Sequence, residues 1–558
     1  MLQLFKKDWR EVWEGVKVPE SGSVYTKPEI VDLMLDLAGY DPNTKRLTDC
    51  RLLEPSCGTG SFVAAIVERI IRSEFKYTDK KVNWGKSSLN DALLAIDISE
   101  ESINATRKLI KDILLKHACP EHRSKELAMA WTLHGDFLLH DWQSDHFDFI
   151  IGNPPYVRME EIPSQVLRQY RESFHTATDR TDLYIPFFEC GLSLLGSEGT
   201  LAFICANRFA KNHYGMGLRK FISEHYRVRN YINLEHTQPF LSDVSAYPAI
   251  VVIDRTKGAP THAITVSELD SETLNNIRRA SCNATGTSLF HKWYSGGAPW
   301  VSTCARKQLS LQELGKNFPT IESSAPGTRI GIGVATGADS VFVLTSKHED
   351  IESSRQLPLL LTQDISCAKI DWSGHWLLNP FSDTDDGTLS ELTEYPDLCK
   401  YLTRHETVLR ARHCAKNRPH AWYKTIDRIW LNLVKTPKLV IPDIQSGGVV
   451  GYDPGGYYPH HNVYWITSDT WDLRALQAIL RSSCVTEQLR AHSVEMRGGS
   501  IRYQAQNLRQ IRIPEFSTIN DSLLHELSEF AIDNDLIRIN AAVERVFRIG
   551  RASAVGNR

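Results

Sequence analysis

Short apolar runs alternate with amphipathic stretches between residues 51 and 254. Short runs that end in glycine, proline or polar residues are typical of buried strands, whereas apolar positions three or four residues apart are typical of helices. The pattern predicts strands near residues 51–54, 93–98, 131–137, 147–152, 199–206, 228–235 and 249–254, helices near 62–75, 101–117, 182–195 and 215–225, and a mobile loop at 157–180. Such alternation predicts a doubly wound α/β sheet, and the last two strands, joined without a helix, predict an antiparallel hairpin at one end.

The pattern changes after a Thr-Lys-Gly-Ala-Pro segment at residues 256–260. From about residue 330 to 515 the chain has short strand-like runs, such as Ser340–Leu344 and Lys438–Ile441, interleaved with Trp, Tyr, Arg and Lys. The tail from about Asp521 to Ile549 has the spacing of one amphipathic helix. These shifts predict three domains, the second of mixed α+β structure and the third helical, at residues 1–260, 261–515 and 516–558.

The strand at residues 147–152 ends in Asn153-Pro-Pro-Tyr156. Two prolines cannot continue a strand ladder, so this turn lies at the carboxyl edge of the sheet, where ligands bind in open α/β folds. A nucleobase amine is a poor nucleophile because its lone pair is delocalised into the ring. The Asn153 side-chain oxygen and the Pro154 carbonyl can accept both amine hydrogens and concentrate that lone pair, while Tyr156 stacks on the base. A strand-ending turn over a core tyrosine is the alternative interpretation.

The motifs upstream also have two interpretations each. The glycine turn at residues 55–60 lets the backbone approach a ligand at a helix N-terminus, but it lacks the third glycine of the dinucleotide fingerprint and alone predicts only a tight turn. Asp97 can hold the hydroxyls of a ribose or cap the next helix, where Ser99 competes with it. Asp136 can accept from an adenine amine with Phe137 over the ring, or it can close a turn.

A helix start precedes the first strand. In Tyr25-Thr-Lys-Pro-Glu29, Thr26 is predicted to be the N-cap, with Pro28 and Glu29 in the first turn, an explanation that needs no ligand. However, Thr26, the glycine turn, the two aspartates and Asn153 each lie at the end of a predicted strand or helix. That order favours one shared site.

The ordered set resembles the gamma class of N6-adenine DNA methyltransferases from restriction-modification systems, the Taq-like group. In that family a Tyr-Thr-x-Pro helix start, a Glu-Pro-x-Cys-Gly-Thr-Gly turn, an acidic second strand, an Asp-Phe third strand and Asn-Pro-Pro-Tyr follow in this order, as they do here between residues 25 and about 254. The resemblance implies a Rossmann-like, S-adenosylmethionine-dependent catalytic domain at residues 1–260 and a DNA target-recognition domain at 261–515. Residues 516–558 would form a helical tail.

The resemblance also implies the residues of the site. S-adenosyl-L-methionine would be held by Thr26, Glu54, Pro55, Ser56, Cys57, Gly58, Gly60, Asp97, Asp136, Phe137 and Pro155. A flipped adenine of double-stranded DNA would be held by Asn153, Pro154, Tyr156 and Phe240. No catalytic metal is implied. The C-terminal region resembles the recognition domain more loosely, in Thr336–Asp339, Lys435–Val440, His461–Tyr464 and the basic stretch Arg497–Arg512.

Four other functions fit part of the pattern. N4-cytosine methyltransferases use a similar amine but usually carry serine in place of Asn153, which favours adenine. Protein glutamine N5-methyltransferases share the Asn-Pro-Pro-Tyr turn but do not need a large basic and aromatic C-terminal region. A fused nuclease is disfavoured because about 24 residues precede Tyr25 and no Glu-x-Lys follows Asp443, so a separately encoded restriction endonuclease is the expected partner. The intact Asn153 and Asp97 argue against a decayed methylase that only binds DNA.

Composition and charge change the picture in one segment. The net charge of the 558 residues is −3, yet Lys400–Lys438 holds ten Lys or Arg against Glu406 and Asp427, a local net charge of +8. This segment is either a solvated face or a DNA-binding face. The 11 cysteines contain no Cys-x-x-Cys pair, which argues against a zinc site and a disulfide framework, and no apolar run has the length of a signal peptide or a membrane span. A monomeric, cytoplasmic protein without a membrane partner is expected.

Overall fold

The computed structural model describes residues 8–15, 24–78, 82–143, 145–178, 181–242, 247–256, 258–282, 289–290, 293–300, 311, 313–384, 387–493 and 500–556. The chain divides into two compact units, Met1–Gln308 and Leu309–Arg558. Among the described residues no helix is both long and apolar enough to cross a membrane.

One nine-stranded sheet organises the first unit. Its strands are β1 Leu52–Glu54, β2 Leu93–Asp97, β3 Thr132–His134, β4 Phe147–Gly152, β5 Leu195–Ala206, β6 Arg227–Asn233, β7 Pro248–Asp254, β8 Thr261–Thr265 and β9 Leu289–Phe290. They lie in the order β3-β2-β1-β4-β5-β7-β6-β8-β9, with β1 to β5 parallel and β7 antiparallel to both β5 and β6. The predicted doubly wound sheet and the antiparallel β6–β7 pair are therefore confirmed, but the hairpin does not end the sheet, since β8 and β9 follow β6.

Helices cover both faces of this sheet. They are α1 Trp9–Val12, α2 Pro28–Ala38, α3 Ser61–Tyr77, α4 Glu100–Lys116, α5 Glu121–Ala130, α6 Ser164–Ser173, α7 Tyr184–Ser193, α8 Arg208–Lys211, α9 Met216–His225 and α10 Ser271–Cys282. Along β5, Leu201 and Phe203 pack into one buried cluster, and Ala202 and Ile204 pack into another. This alternation follows from the two-residue period of a strand and explains why the central strands are apolar throughout.

Two predictions in the first unit are wrong. Residues 157–180 were expected to form a mobile loop, but they contain α6, which buries Val166 and Tyr170. These two residues are four positions apart and share one helix face, a signal hidden by the surrounding charged residues. The compact unit also continues beyond residue 260, because β8 pairs in parallel with β6 and extends the same sheet.

The second unit has the predicted mixed α+β character. Its strands are β10 Arg329–Ile332, β11 Val343–Leu344, β12 Gln356–Leu360, β13 Trp376–Leu378, β14 Lys438–Pro442, β15 Ile444–Gln445, β16 Gly451–Asp453, β17 Tyr458–Pro459, β18 Val463–Thr467 and β19 Ile501–Arg502. They form sheets with the orders β10-β18-β14-β16, β11-β13-β12-β17 and β15-β19. The helices are α11 Asp339–Phe342, α12 Pro396–Arg404, α13 Glu406–Ala411, α14 His413–Lys416, α15 Leu431–Lys435, α16 Leu473–Arg481, α17 Ser483–His492, α18 Ala505–Leu508, α19 Asp521–Ile532 and α20 Leu536–Gly556.

Two elements of this unit differ from the prediction. The run 340–344 is mostly helical, because α11 occupies its first part and only Val343–Leu344 is strand. The tail is two helices rather than one, since Asn534 adopts a left-handed backbone with φ +57° between α19 and α20. Leu527 and Val543 of these helices share a buried cluster with Leu476 of α16. The tail is therefore part of the core of the second unit.

Candidate active site

A cavity of about 520 Å³ opens at the carboxyl edge of β1, β2 and β4. The sequence predicted this edge, and ten of its predicted cofactor residues line the cavity together with Asn153: Thr26, Glu54, Pro55, Ser56, Cys57, Gly58, Asp97, Asp136, Phe137 and Pro155. Gly60 is not in the lining. It has φ +96°, a left-handed backbone that favours glycine at the turn into α3, and a Cβ there would also require the Leu109 side chain of α4 to shift.

Asp97 fixes the glycine turn from the end of β2. Its carboxylate accepts hydrogen bonds from the backbone N–H groups of Gly58 at 2.8 Å and of Ser99 at 2.9 Å. The side chain of Ser99 caps α4 by accepting from the N–H of Ser102, which removes the capping interpretation of Asp97. Burial raises the pKa of Asp97, and the two backbone donors oppose that rise.

Glu54 is a fully buried carboxyl group at this edge. Only 1% of the residue is exposed, and no donor among the described residues reaches its Oε2. Burial, followed by repulsion from Asp97, raises the pKa of Glu54 well above the ordinary value. Two crowded carboxyl groups beside an unpartnered oxygen fit a ligand that carries positive charge, and S-adenosylmethionine carries both an ammonium and a sulfonium group.

Asp136 is engaged in a way the sequence did not indicate. Its carboxylate accepts from the Trp13 indole N–H at 2.9 Å, the Tyr170 hydroxyl at 2.7 Å, and the backbone N–H groups of Leu138 and Leu139 at 2.8 and 3.3 Å. These four bonds use the usual acceptor capacity of a carboxylate. In this arrangement an adenine amine could donate to Asp136 only after one of these donors leaves, and the predicted role of Asp136 stays a prediction.

Phe137, expected to cover a cofactor ring, is 2% exposed. Its ring packs on Trp142 and Phe187, with ring centroids 5.6 and 4.9 Å away. It reaches the cavity wall but belongs to the core.

Asn153 presents an acceptor in a fixed orientation. Its amide nitrogen donates to the Val24 carbonyl at 2.9 Å and more weakly to Thr26 Oγ1 at 3.4 Å. A carbonyl can only accept, so the amide cannot be reversed. The other end of the side chain, Oδ1, is buried, and no donor among the described residues reaches it. The Asn153 backbone carbonyl accepts from the Ser56 hydroxyl at 2.9 Å, which ties this turn to the glycine turn.

Thr26 is held by a strand-like pairing rather than by a helix cap. The cap position of α2 belongs to Lys27 and has no side-chain cap, so the predicted N-cap role of Thr26 is wrong. Thr26 forms an isolated bridge with Phe240, flanked by bonds from Lys27 N–H to Pro239 O and from Leu241 N–H to Tyr25 O, both 2.9 Å. The Thr26 backbone therefore pairs with Phe240, and its side-chain hydroxyl accepts from the Asn153 amide.

The same pairing brings Phe240 to Tyr156. Their ring centroids are 6.0 Å apart and the rings are nearly perpendicular, at 82°. The Tyr156 hydroxyl donates to the Ile204 carbonyl at 3.4 Å, which anchors the far end of the ring in the core. Of the four predicted base-holding residues, Asn153 lines the cavity described above, whereas Pro154, Tyr156 and Phe240 do not.

Sequence reasoning missed three residues of this site. Trp13 and Tyr170 hold Asp136, and the backbone of Val24 orients Asn153. The spacing of Val166 and Tyr170 on α6 gave the only usable signal. The other two lie in a polar N-terminal stretch where nothing marks them.

Part of the basic segment Lys400–Lys438 has a structural role. Lys438 is fully buried and lies 2.6 Å from the carboxylate of the equally buried Asp453. The Arg412 guanidinium donates to four backbone carbonyls. Seven other cations are exposed: Lys400, Arg404, Arg410, Lys416, Arg418, Arg428 and Lys435. Of the second basic stretch, residues 497–499 lie outside the described residues.

Comparison with known proteins identifies the family. Residues 40–240 match the sequence model of the Eco57I restriction-modification methylases. The chain is 39% identical to the type II methyltransferase M.XhoI of Xanthomonas vasicola over 545 residues, which are 96% of this chain and 98% of that protein. The chain belongs to the type II restriction-modification methyltransferases. Another similar member, M.PaeR7I of Pseudomonas aeruginosa, is 38% identical over 544 residues, which are 96% of this chain and 93% of that protein.

A solved structure gives independent support for the fold. The type IIL restriction-modification enzyme MmeI, solved in complex with DNA, has a TM-score of 0.61 to this chain at 12% identity, and the match covers 94% of this chain and 74% of that one. Family membership and fold together confirm a DNA methyltransferase with a Rossmann-like catalytic fold and S-adenosylmethionine as cofactor.

Proposed function

We propose that this methyltransferase modifies N6 of an adenine that is flipped out of double-stranded DNA. One observation carries the proposal: Asn153 Oδ1 is a buried acceptor with a fixed orientation and no donor among the described residues. A buried acceptor without a donor costs about 1–3 kcal/mol, which an incoming amine recovers by donating to it. The resemblance to the gamma class supports adenine as the base that brings this amine.

The chemical step requires positioning rather than a catalytic base. Asn153 Oδ1 and the Pro154 carbonyl accept the two amine hydrogens, which leaves the nitrogen lone pair directed away from them. S-adenosylmethionine, when bound, supplies a methyl group on a sulfonium, and the electrons of the broken C–S bond return to sulfur. Once the new C–N bond forms, the amine nitrogen carries a positive charge and readily loses one proton to solvent. Neither histidine nor metal is needed for this step.

The aromatic pair would hold the base. The Tyr156 and Phe240 rings are nearly perpendicular and Phe240 is only 2% exposed, so a flat base could stack on Tyr156 and meet Phe240 edge to face only after the two rings move apart. Asn153 Oδ1 is shielded from solvent, so the turn must shift locally as the base enters. Removing a base from the duplex costs a few kcal/mol, which this stacking and the amine contacts offset.

In the same proposal, the cavity holds the cofactor. Glu54 faces its positive charge, and Asp97 accepts from the ribose hydroxyls in addition to the Gly58 and Ser99 N–H groups. For Asp136 to bind the adenine ring of the cofactor, the Trp13 indole N–H must leave its carboxylate. This exchange is the one place where the proposed cofactor position requires a change in hydrogen bonding.

The second unit would recognise the DNA sequence. Its exposed lysines and arginines suit phosphate contacts, which fix register, whereas base edges are read by other side chains. The protein would act as a monomer and would protect DNA from a separately encoded endonuclease.

Nucleoside analysis tests the proposal. Unmethylated plasmid is incubated with the protein and methyl-labelled S-adenosylmethionine, digested to nucleosides and separated by chromatography with mass detection. Label in N6-methyldeoxyadenosine is the expected result. Label in N4-methyldeoxycytidine would contradict adenine as the target and would mean that Asn153 and Pro154 hold a cytosine amine instead. Label in protein glutamine, with none in DNA, would overturn the proposal.

A further inference from the structure

Asp339, His460 and His461 form a cluster in the second unit, in which one candidate ligand atom from each residue lies within 4.8 Å of the other two. Asp339 begins α11, and the two histidines lie between β17 and β18. His460 Nε2 is 3.2 Å from Asp339 Oδ2 and 3.0 Å from His461 Nδ1. We propose that these three residues bind one divalent transition-metal ion, such as Zn²⁺ or Co²⁺.

The distances suit ligands that share an ion. Zinc binds imidazole nitrogen and carboxylate oxygen at about 2.0–2.2 Å, so two ligand atoms on a tetrahedral ion lie about 3.3 Å apart. The two separations around His460 Nε2 are close to that value. Two imidazoles with one carboxylate also select transition metals over Mg²⁺ and Ca²⁺, which prefer oxygen ligands.

Hydrogen bonding within the protein satisfies one of the two contacts of His460 Nε2 but not both. A ring nitrogen carries either one proton or one lone pair in the ring plane. If His460 Nε2 is protonated, its one N–H cannot point at both Asp339 and His461. If it is not protonated, it can accept from the His461 Nδ1–H at 3.0 Å, and Asp339 Oδ2 then lies 3.2 Å away without a donor from this ring. A cation among the three atoms is attracted to a lone pair of each.

Neighbouring residues hold Asp339 and His460 in place by hydrogen bonds. The fully buried Thr336 donates its hydroxyl to the other oxygen of Asp339, an orientation that outer-shell residues commonly supply to ligating carboxylates. The His460 backbone donates to Leu360 O at 3.0 Å and accepts from Val463 N–H at 2.8 Å. Asp339 is exposed, so water can complete the coordination. No spacing pattern could indicate this cluster, because Asp339 and His460 are 121 residues apart.

Cobalt titration of the full-length chain tests this site. The protein is stripped with a chelator, the chelator is removed, and Co²⁺ is added while visible d–d absorption is recorded. We expect one equivalent to bind, with Asp339→Asn and His461→Ala each weakening binding by roughly tenfold or more, since even outer-shell changes reach that size. His420→Ala, which removes an exposed histidine of the same unit, should bind as the native chain does.

The 11 cysteines offer competing ligands, so the spectrum matters as much as the stoichiometry. A thiolate-to-cobalt charge-transfer band would show that the ion binds cysteine and would overturn the proposal, as would equal affinity in the native chain and in both variants. Thermal unfolding without metal checks that the variants are folded. With Zn²⁺, the unfolding midpoint should rise in the native chain and in His420→Ala, and it should rise less in the two ligand variants at the same Zn²⁺ concentration.

Discussion

Replacing Asn153 by alanine should separate methyl transfer from cofactor binding. The side chain makes two contacts through nitrogen, to Val24 O at 2.9 Å and Thr26 Oγ1 at 3.4 Å, and offers a third through its unpartnered oxygen. Only the third is proposed to act on the amine. Loss of one such preorganised group typically lowers kcat by about 10²–10³-fold, or roughly 2.7–4 kcal/mol. Loss of the bond to Val24 leaves a carbonyl without its donor, a stability cost of about 1–3 kcal/mol.

Three measurements keep these effects apart. Single-turnover methylation of plasmid DNA gives the rate, calorimetric titration gives the S-adenosylmethionine Kd, and denaturant unfolding gives the stability. We expect the rate to fall by the factor above while the Kd changes by less than about threefold, which is roughly 0.6 kcal/mol. Equal losses in rate and cofactor affinity would refute the reasoning, because Asn153 would then be a cofactor ligand.

Two further variants sharpen the result. Asn153→Asp keeps an acceptor but turns an oxygen toward Val24 O, so we expect its rate to lie between those of the native chain and Asn153→Ala, with reduced stability. Asn379→Ala removes another buried asparagine, whose side chain accepts from the Phe381 N–H, and should lower stability without a comparable loss of rate. A rate for Asn153→Asp below that of Asn153→Ala would contradict the role of the oxygen.

Three other variants test separate parts of the structure. The pKa of Glu54 is raised above the ordinary glutamate value of about 4.3, so the folded chain keeps this proton as the pH rises past that value. A cationic cofactor favours the ionised carboxylate and releases the proton. Cofactor affinity should therefore increase with pH until the raised pKa is passed. Glu54→Gln should remove this contribution in calorimetric titrations, and an unchanged slope would exclude Glu54 as its source. Trp13→Phe frees an acceptor on Asp136 and should tighten S-adenosylmethionine binding by up to about tenfold, roughly 1.4 kcal/mol, whereas weaker binding would mean that the indole supports the cofactor. Asp453→Asn leaves the Lys438 ammonium buried without its counter-charge and should cost about 3–5 kcal/mol in denaturant unfolding, while the double replacement Lys438→Met with Asp453→Leu should recover most of it; a single-variant loss below about 1 kcal/mol would show that solvent reaches the pair.

The sequence could predict the parts of this fold that depend on local pattern. Apolar runs located the central strands, and the groups at their ends located the cavity, because the carboxyl ends of parallel strands share one edge. Asn153 and Glu54 were predictable for this reason. Their unpartnered oxygens were not, since these depend on which donors the folded chain brings near.

Long-range partners account for most of the remainder. The Trp13 and Asp136 side chains are 123 residues apart in the sequence, and no periodicity in either segment indicates that the indole N–H donates to this carboxylate. Net charge was equally uninformative about Lys438, which counts as a cation in a basic stretch yet is neutralised by Asp453 in the core. The pairing of residues 25–27 with residues 239–241 consists of backbone hydrogen bonds, which any side chains allow, and it displaced the cap predicted for Thr26.

Hydrogen bonds around Asn153 connect the turn at residues 153–156 to the cavity at the carboxyl edge of the sheet. Ser56, in the glycine turn, donates to the Asn153 backbone, and the Asn153 amide donates to Val24 and Thr26. Each of these residues lines the cavity. A shift of the glycine turn would therefore move the acceptor through the Asn153 backbone, a connection that Asn153→Ala leaves in place. In the proposed reaction the donor carbon and the amine nitrogen must be held in line, and this shared set of hydrogen bonds would supply that alignment.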